Sequence, residues 1–212
     1  PGLGYYAAGA YETHHEHEYN AIRNGAALID VSPLFKYDVS GRDAAAFVDR
    51  LITREARRLA VGQVIYTPWC DDDGNLVDDG TVARRGEQEF FWTAADAAYR
   101  WILLNASGLD ATVEDVTDDV AGLAVQGPRS RAILESAGDT SLGDLAPFRT
   151  RPITIGGVAA EVSRTGYTGD LGYEVWSPAA RALDVWDAIW AAGRPHGVRP
   201  AGIRALDVAR VE

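Results

Sequence analysis

Between Gln63 and Thr93 the apolar residues leave helical spacing and alternate with polar ones, with aromatic and β-branched side chains prominent among them. Successive strand residues face opposite sides of a sheet, so this period of two reads as strands with one face buried. It predicts strands at 64–68, 76–83 and 89–93, turning at Asp73-Gly74 and Arg85-Gly86. Turns this short join only antiparallel neighbours. Gly156-Gly157 repeats the signal between predicted strands at 153–155 and 158–164. Further strands are expected at 27–31, around Val113, at 123–125 and at 173–176. Helical spacing predicts helices at 13–24, 43–51, 94–105, 129–136, 179–192 and 200–212, falling between the strand groups. The first is expected to open on a capping box, Thr13-His14-His15-Glu16, and to stop at Asn24-Gly25. Hairpin-joined strands with helices inserted between groups define an α+β fold with antiparallel strands, not a doubly wound parallel sheet.

Cys70 is the single cysteine of the 212 residues, so the chain closes no internal disulfide and a reducing, cytoplasmic setting is expected. Its net charge of -11, without a basic stripe, argues against nucleic acid as a partner. No run of 18 apolar residues exists to cross a membrane, and the opening Pro-Gly-Leu-Gly-Tyr-Tyr lacks the charged and apolar regions of a secretory signal. Methionine is absent even from position 1, which suggests a processed or partial chain. Lys36 is the only lysine, read here as codon bias.

Two carboxylates break the pattern around them, and such breaks tend to mark functional positions. Asp78 and Asp79 lie adjacent in the 76–83 strand and cannot both face solvent if one face is apolar. A turn or edge position after Asp73-Gly74 is the plain alternative. Glu174 stands between Tyr173 and Val175 and shares a face with Trp176; buried unpaired, it would cost several kcal/mol and so needs a cationic or hydrogen-bonding partner. An exposed strand face is its plain alternative. Between the two lies Ser163-Arg164-Thr165-Gly166-Tyr167-Thr168-Gly169-Asp170-Leu171-Gly172, whose glycines could let backbone approach a ligand closely. It lacks the Gly-Lys-Ser/Thr of a phosphate loop and opens no helix.

Other chemistry finds little support. His14 with His17 or Glu18 shares a helix face, but nothing nearby completes a metal shell, and no metal site is assigned. Cys70 precedes three aspartates, which disfavour a thiolate. No Gly-x-Ser-x-Gly or Ser/His/Asp order appears.

Several segments together resemble the family of the glycine-cleavage T-protein, the tetrahydrofolate-dependent aminomethyltransferases and their demethylase relatives. They are Ile29-Asp30-Val31-Ser32, Gly62-Gln63-Val64-Ile65-Tyr66-Thr67, Asp73-Gly74-Asn75-Leu76-Val77-Asp78-Asp79, Val125-Gln126-Gly127-Pro128, Ser163 to Gly169 running on to Gly172-Tyr173-Glu174, and Arg199-Pro200-Ala201-Gly202 with Asp207, Arg210 and Glu212. Ser-Arg-Thr-Gly-Tyr-Thr-Gly is the most specific piece, and the set keeps the family's order across nearly the whole chain.

The resemblance implies three domains around a central folate pocket: a discontinuous first domain of 1–37 plus 118–212, an inserted second domain of 38–117, and a third, C-terminal domain absent from this stretch. It implies an enzyme transferring an aminomethyl or methyl group to tetrahydrofolate, or a demethylase of a sulfonium, methylamine or aryl methyl ether. A non-catalytic folate-binding module or subunit is the alternative of another class. The implied partners are folate, a small methyl or aminomethyl donor, and a lipoyl carrier protein or flavoprotein. Asp79 falls on the family's catalytic aspartate, where a fixed carboxylate would stabilise cationic species and take up a proton. Glu174 falls on the glutamate that accepts the pterin's planar donor pair. Tyr66 and Tyr167 fall on pocket-lining tyrosines, and Thr93 replaces an asparagine. Leu206 replaces a folate-contacting arginine, with Arg204 as the expected substitute. Pro33-Leu34 replaces the T-protein's His-Met, which favours a donor other than that of glycine cleavage. Local attraction of anionic folate is expected from Arg84, Arg85 or Arg164.

Overall fold

A computed structural model describes residues 6–211. The chain divides into two compact units, one taking in the residues up to Pro33 and from Asp118 onward, the other Leu34–Thr117. The fold is mixed α+β and built on two sheets.

In the Leu34–Thr117 unit the alternating stretch forms β3 (Gln63–Cys70), β4 (Leu76–Gly86) and β5 (Glu89–Ala94), joined in sheet order β3-β4-β5-β2-β6 with β2 (Phe35–Ser40) and β6 (Thr112–Asp115). All these pairings are antiparallel. The β4–β5 turn falls at Glu87-Gln88, two residues beyond the expected Arg85-Gly86, because β4 continues through an irregularity between Arg84 and Gly86. Strand β2 was not expected, although Phe35-Lys36-Tyr37-Asp38-Val39-Ser40 alternates strictly. One face carries Tyr37, Val39, Trp69, Val82, Phe90 and Trp92, packed with Phe47, Val48 and Leu51 of α2 (Ala44–Leu51) and Ile102 of α3 (Tyr99–Asn105) into a buried cluster. Helix α3 starts five residues later than expected. The Asp78 carboxylate accepts the Asp96 amide at 3.0 Å and the Tyr37 hydroxyl accepts the Ala98 amide at 3.1 Å, so tertiary partners take the amides of that stretch.

The other unit carries β1 (Ala27–Asp30), β7 (Val120–Gln126), β8 (Thr150–Ile155), β9 (Val158–Ser163), β10 (Gly172–Pro178) and β11 (Arg199–Pro200) in the order β11-β1-β7-β10-β9-β8. Only the two-residue β11 pairs parallel, with Ala27 and Leu28. One sheet face, through Leu28, Val125, Val162 and Tyr173, packs with Ile133 and Leu134 of α4 (Ser130–Ala137) and Val185 and Ile189 of α5 (Ala182–Gly193). The opposite face, through Ala27, Ile29 and Ala124, packs with Ala21 and Ile22 of α1 (His15–Asn24) and Ala205, Leu206 and Ala209 of α6 (Ile203–Val211). Two apolar helix stripes thus cover both sides of one sheet, which is why its central strands are largely apolar, with Gln126 and Glu174 among the exceptions.

The expected capping box does not form. Helix α1 begins at His15 with no side-chain cap on its N-terminus. Glu18, weighed above beside the histidines, turns inward and is fully buried. Its Oε1 accepts the amides of Tyr11 (2.6 Å) and Glu12 (2.8 Å), and its Oε2 accepts that of Gly202 (2.8 Å). Glu18 therefore pins residues 11–12 to the start of α6, where Ile203 and Arg204 also donate to the carbonyls of Ala8 and Gly9. These contacts explain why α6 begins at Ile203 and not at the expected position 200.

Candidate functional site

Candidate residues lie in both units, each unit with its own set. In the Leu34–Thr117 unit, cross-strand register sets Tyr66 opposite Thr81, Thr81 opposite Thr93, and Thr93 opposite Lys36. Directly opposed residues share a face, so these four form one row across the sheet, on the side away from the Trp69–Trp92 core. Asp79, two residues before Thr81, lies on the same side one step along β4. The adjacent carboxylates divide as the alternation requires: Asp78 turns into the core side, where burial pushes its carboxyl up, while Asp79 stays partly exposed.

The Tyr66 hydroxyl donates to Asp79 Oδ2 at 2.6 Å, a length typical of a phenol bonded to a carboxylate. This fixes the carboxylate and leaves its second oxygen for another partner. Tyr66 is 45% exposed, so the pair is open to a ligand. Thr93 is nearly buried, and its hydroxyl lies 2.7 Å from that of Thr81. Gly80, between Asp79 and Thr81, has no substitute: a Cβ there would sit 1.9 Å from the Thr93 carbonyl oxygen. Lys36, far from a bystander, is fully buried with its Nζ donating to the Leu34 carbonyl at 2.8 Å.

In the other unit, Glu174 of β10 faces the α1/α6 side of its sheet, opposite Ser163 and Ala124. The partner that the sequence left unnamed is a hydroxyl. Thr165 Oγ1 donates to Glu174 Oε2 at 2.5 Å, and the Ser163 hydroxyl lies 2.7 Å from that of Thr165. Burial pushes the Glu174 carboxyl above the ordinary glutamate range, and the Thr165 bond opposes that shift. Tyr167, 53% exposed, sits in the loop that follows Thr165, and the Arg210 guanidinium lies 5.5 Å from its ring centre. Arg204, the expected cation, is exposed and is held through its backbone by Gly9. Leu206 is buried in the α1/α6 cluster. Arg210 was quoted above as a motif position but not as a site residue; its position seven residues after Ile203 on one helix could have drawn attention to it.

The three arginines expected to attract folate are committed within the chain. Arg84 donates to the carbonyls of Leu59 (2.7 Å) and Glu87 (2.5 Å), and Arg164 to that of Leu145 (2.9 Å). Arg85 pairs with Asp38 at 3.1 Å and stacks 3.8 Å from the Phe91 ring centre. Among the described residues no group of three or more potential metal ligands is gathered, and no helix is long and apolar enough to cross a membrane.

Known proteins share the fold that carries Glu174 and Asp79. The chain is 41% identical over 206 residues to trimethylamine-oxide aldolase of Ruegeria pomeroyi, covering 92% of this chain and 26% of the aldolase. It is 40% identical over 199 residues to an aminomethyltransferase of Moorella thermoacetica, covering 92% of this chain and 54% of that protein. The crystal structure of glycine cleavage system aminomethyltransferase T from Bartonella henselae superposes with a TM-score of 0.89 at 25% identity, covering all of this chain and 57% of that one. A chain of the heterotetrameric sarcosine oxidase from Corynebacterium shares the fold, with a TM-score of 0.64 at 16% identity, covering 87% of this chain and 93% of that one. The chain thus spans about half the length of the aminomethyltransferases it matches and about a quarter of the aldolase. The family described as the GCVT N-terminal domain matches residues 2–212, and the chain belongs to that family.

Proposed function

We propose that this chain carries the folate-binding and acid–base part of an enzyme that transfers a one-carbon group to tetrahydrofolate. The observation that supports this best is the Tyr66–Asp79 hydrogen bond, which holds a partly exposed carboxylate in one orientation on a sheet face where nothing in the core requires it. Reduced folate, when bound, supplies the nitrogen that accepts the carbon. Glu174, half-buried and already steadied by Thr165, suits a planar pair of N–H donors, because a carboxylate partly withdrawn from water gains from charge-assisted, bidentate bonding. Tyr167 offers a flat exposed ring for stacking, and Tyr66 a second one. Thr93, through Thr81, stiffens the strand pair beside Asp79. Asp79 is the catalytic residue of this reading. Its charge stabilises a cationic centre as carbon changes partners, and its free oxygen takes up the proton released.

The 41% identity to trimethylamine-oxide aldolase, beside 40% to an aminomethyltransferase, supports a demethylase of a methylated amine as the second reading, and the Pro33-Leu34 departure favours a donor other than that of glycine cleavage. A flavoprotein or lipoyl carrier partner and a cytoplasmic setting belong to the same reading. In the full-length protein, Asp79→Asn should abolish turnover while tetrahydrofolate still binds by calorimetric titration. Unchanged turnover removes Asp79 from catalysis. Binding without turnover by the unaltered protein, across methylated amines, sulfoniums and aminomethyl donors, identifies a binding module instead.

A further inference from the structure

Two of the three glycines in the Thr165–Tyr173 stretch serve a different purpose from the one their spacing suggests. Gln126, the last residue of β7, is 1% exposed, and its side chain runs into the base of that loop. A Cβ on Gly166 would fall 2.1 Å from Gln126 Oε1, and one on Gly172 would fall 2.0 Å from the same atom. Neither is a matter of backbone freedom; both glycines are hollows that the amide occupies. Within them Gln126 Nε2 donates to the carbonyls of Thr165 (3.3 Å) and Tyr173 (3.2 Å), while Oε1 accepts the Thr168 hydroxyl at 3.0 Å. Both amide hydrogens and one oxygen lone pair are thus used. The three anchor points bracket Tyr167 and flank Glu174, the two groups this unit turns toward a ligand. From the outer side Arg23 closes the same loop, donating to the Thr168 carbonyl at 2.7 Å and to Asp170 at 2.5 Å.

We propose that Gln126 is the positioning residue of the ligand-binding loop, and that Gly166 and Gly172 are kept side-chain-free for its amide and not for close approach of a ligand. The claim rests on the folate reading for what the loop presents, but not for how the loop is held. A buried amide that satisfies both ends of a loop holds it without touching the ligand, because each bond it makes would otherwise leave a buried carbonyl or hydroxyl without a partner.

The test uses the full-length protein with Gln126→Met, which keeps the length of the side chain and removes its hydrogen bonds, and Thr168→Val, which removes one bond and keeps the shape. Amide hydrogen exchange at 166–172 should quicken about tenfold or more in Gln126→Met and about threefold in Thr168→Val, with the strands of the other unit unchanged. The tetrahydrofolate Kd should rise in parallel, with kcat at saturating folate changing much less. Gly166→Ala should loosen the loop through its clash with Gln126, and Gln126→Ala added to it should restore part of the lost exchange protection. Unaltered loop exchange in both Gln126→Met and Thr168→Val overturns the proposal. So does a Gly166→Ala effect that Gln126→Ala leaves undiminished, since a hollow meant for the ligand behaves that way. Should the unaltered protein bind no tetrahydrofolate, the folate reading fails on its own, and the exchange comparison still decides the role of Gln126.

Discussion

Replacing Glu18 should destabilise the fold by an amount set by three backbone amides. Its carboxylate accepts Tyr11, Glu12 and Gly202 at 2.6–2.8 Å, and its side chain is wholly excluded from water. Glu18→Gln leaves one carbonyl oxygen, enough for the Tyr11 and Glu12 amides that already share Oε1. The amide nitrogen then faces the Gly202 N–H, donor against donor. A hydrogen bond to a charged group contributes about 1.5–3 kcal/mol, and an unmatched buried donor costs about 1–3 kcal/mol. These overlap, so about 2–4 kcal/mol is expected, a large part of a typical total of about 5–15 kcal/mol. Glu18→Ala, which strands all three amides, should cost about 3–5 kcal/mol. Urea unfolding followed by tryptophan fluorescence reads this directly: at an m-value of about 2 kcal/mol/M, Glu18→Gln lowers the midpoint by about 1–2 M. Hydrogen exchange at Gly202, Ile203 and Arg204 should quicken more than elsewhere. A midpoint within about 0.2 M of the unaltered protein would refute the argument, showing that water or a shifted residues 8–12 segment supplies the amides equally well.

Other substitutions test the candidate site. Gly80→Ala should cost about 1–3 kcal/mol or more, because the Thr93 carbonyl oxygen 1.9 Å from the new methyl is ladder backbone and cannot move without breaking pairing; an unchanged thermal midpoint would contradict this. Tyr66→Phe should lower kcat about tenfold, the effect of losing roughly 1.4 kcal/mol of carboxylate orientation, with the folate Kd little changed. Glu174 carries a raised carboxyl, so between its unfolded and folded pKa values the native state holds more protons and stability falls as pH rises. Glu174→Gln should therefore be more stable than the unaltered protein at neutral pH, with a flatter stability profile, yet bind folate poorly; denaturant unfolding from pH 4 to 8 without folate checks the sign. Thr165→Val, by removing the bond that opposes burial, should move the Glu174 titration further up, as read by carbon-13 NMR of the carboxyl.

Much of the architecture is written in short-range signals. The alternation from Gln63 onward and the Gly156-Gly157 turn identify hairpins, because both period and turn geometry are local properties. Asp79 and Glu174 were visible as carboxylates out of pattern. Two helix starts differ because a distant group intervenes. The start of α3 is delayed because Asp78 and Tyr37, on other strands, take the amides of Asp96 and Ala98. The Thr13 capping box fails while Glu18, two residues beyond its glutamate, reaches across the fold. Strand β2 is legible in its alternation but lies between Ser32-Pro33 and Gly41, two strong breakers that mask so short an element.

From the order of residues alone come the antiparallel hairpins, the helix stripes, the lack of a disulfide within these 212 residues, and the two acidic positions out of keeping with their strands. Folding alone determines what those positions meet: a phenol for Asp79, a threonine hydroxyl for Glu174, and Gln126 in the hollows of Gly166 and Gly172. The Glu18–Gly202 bond spans 184 residues of chain, and no local preference encodes a partner at that distance. Periodicity and turns act over a few residues; satisfying a buried polar atom is a condition on the whole packed interior, met only when every element is in place.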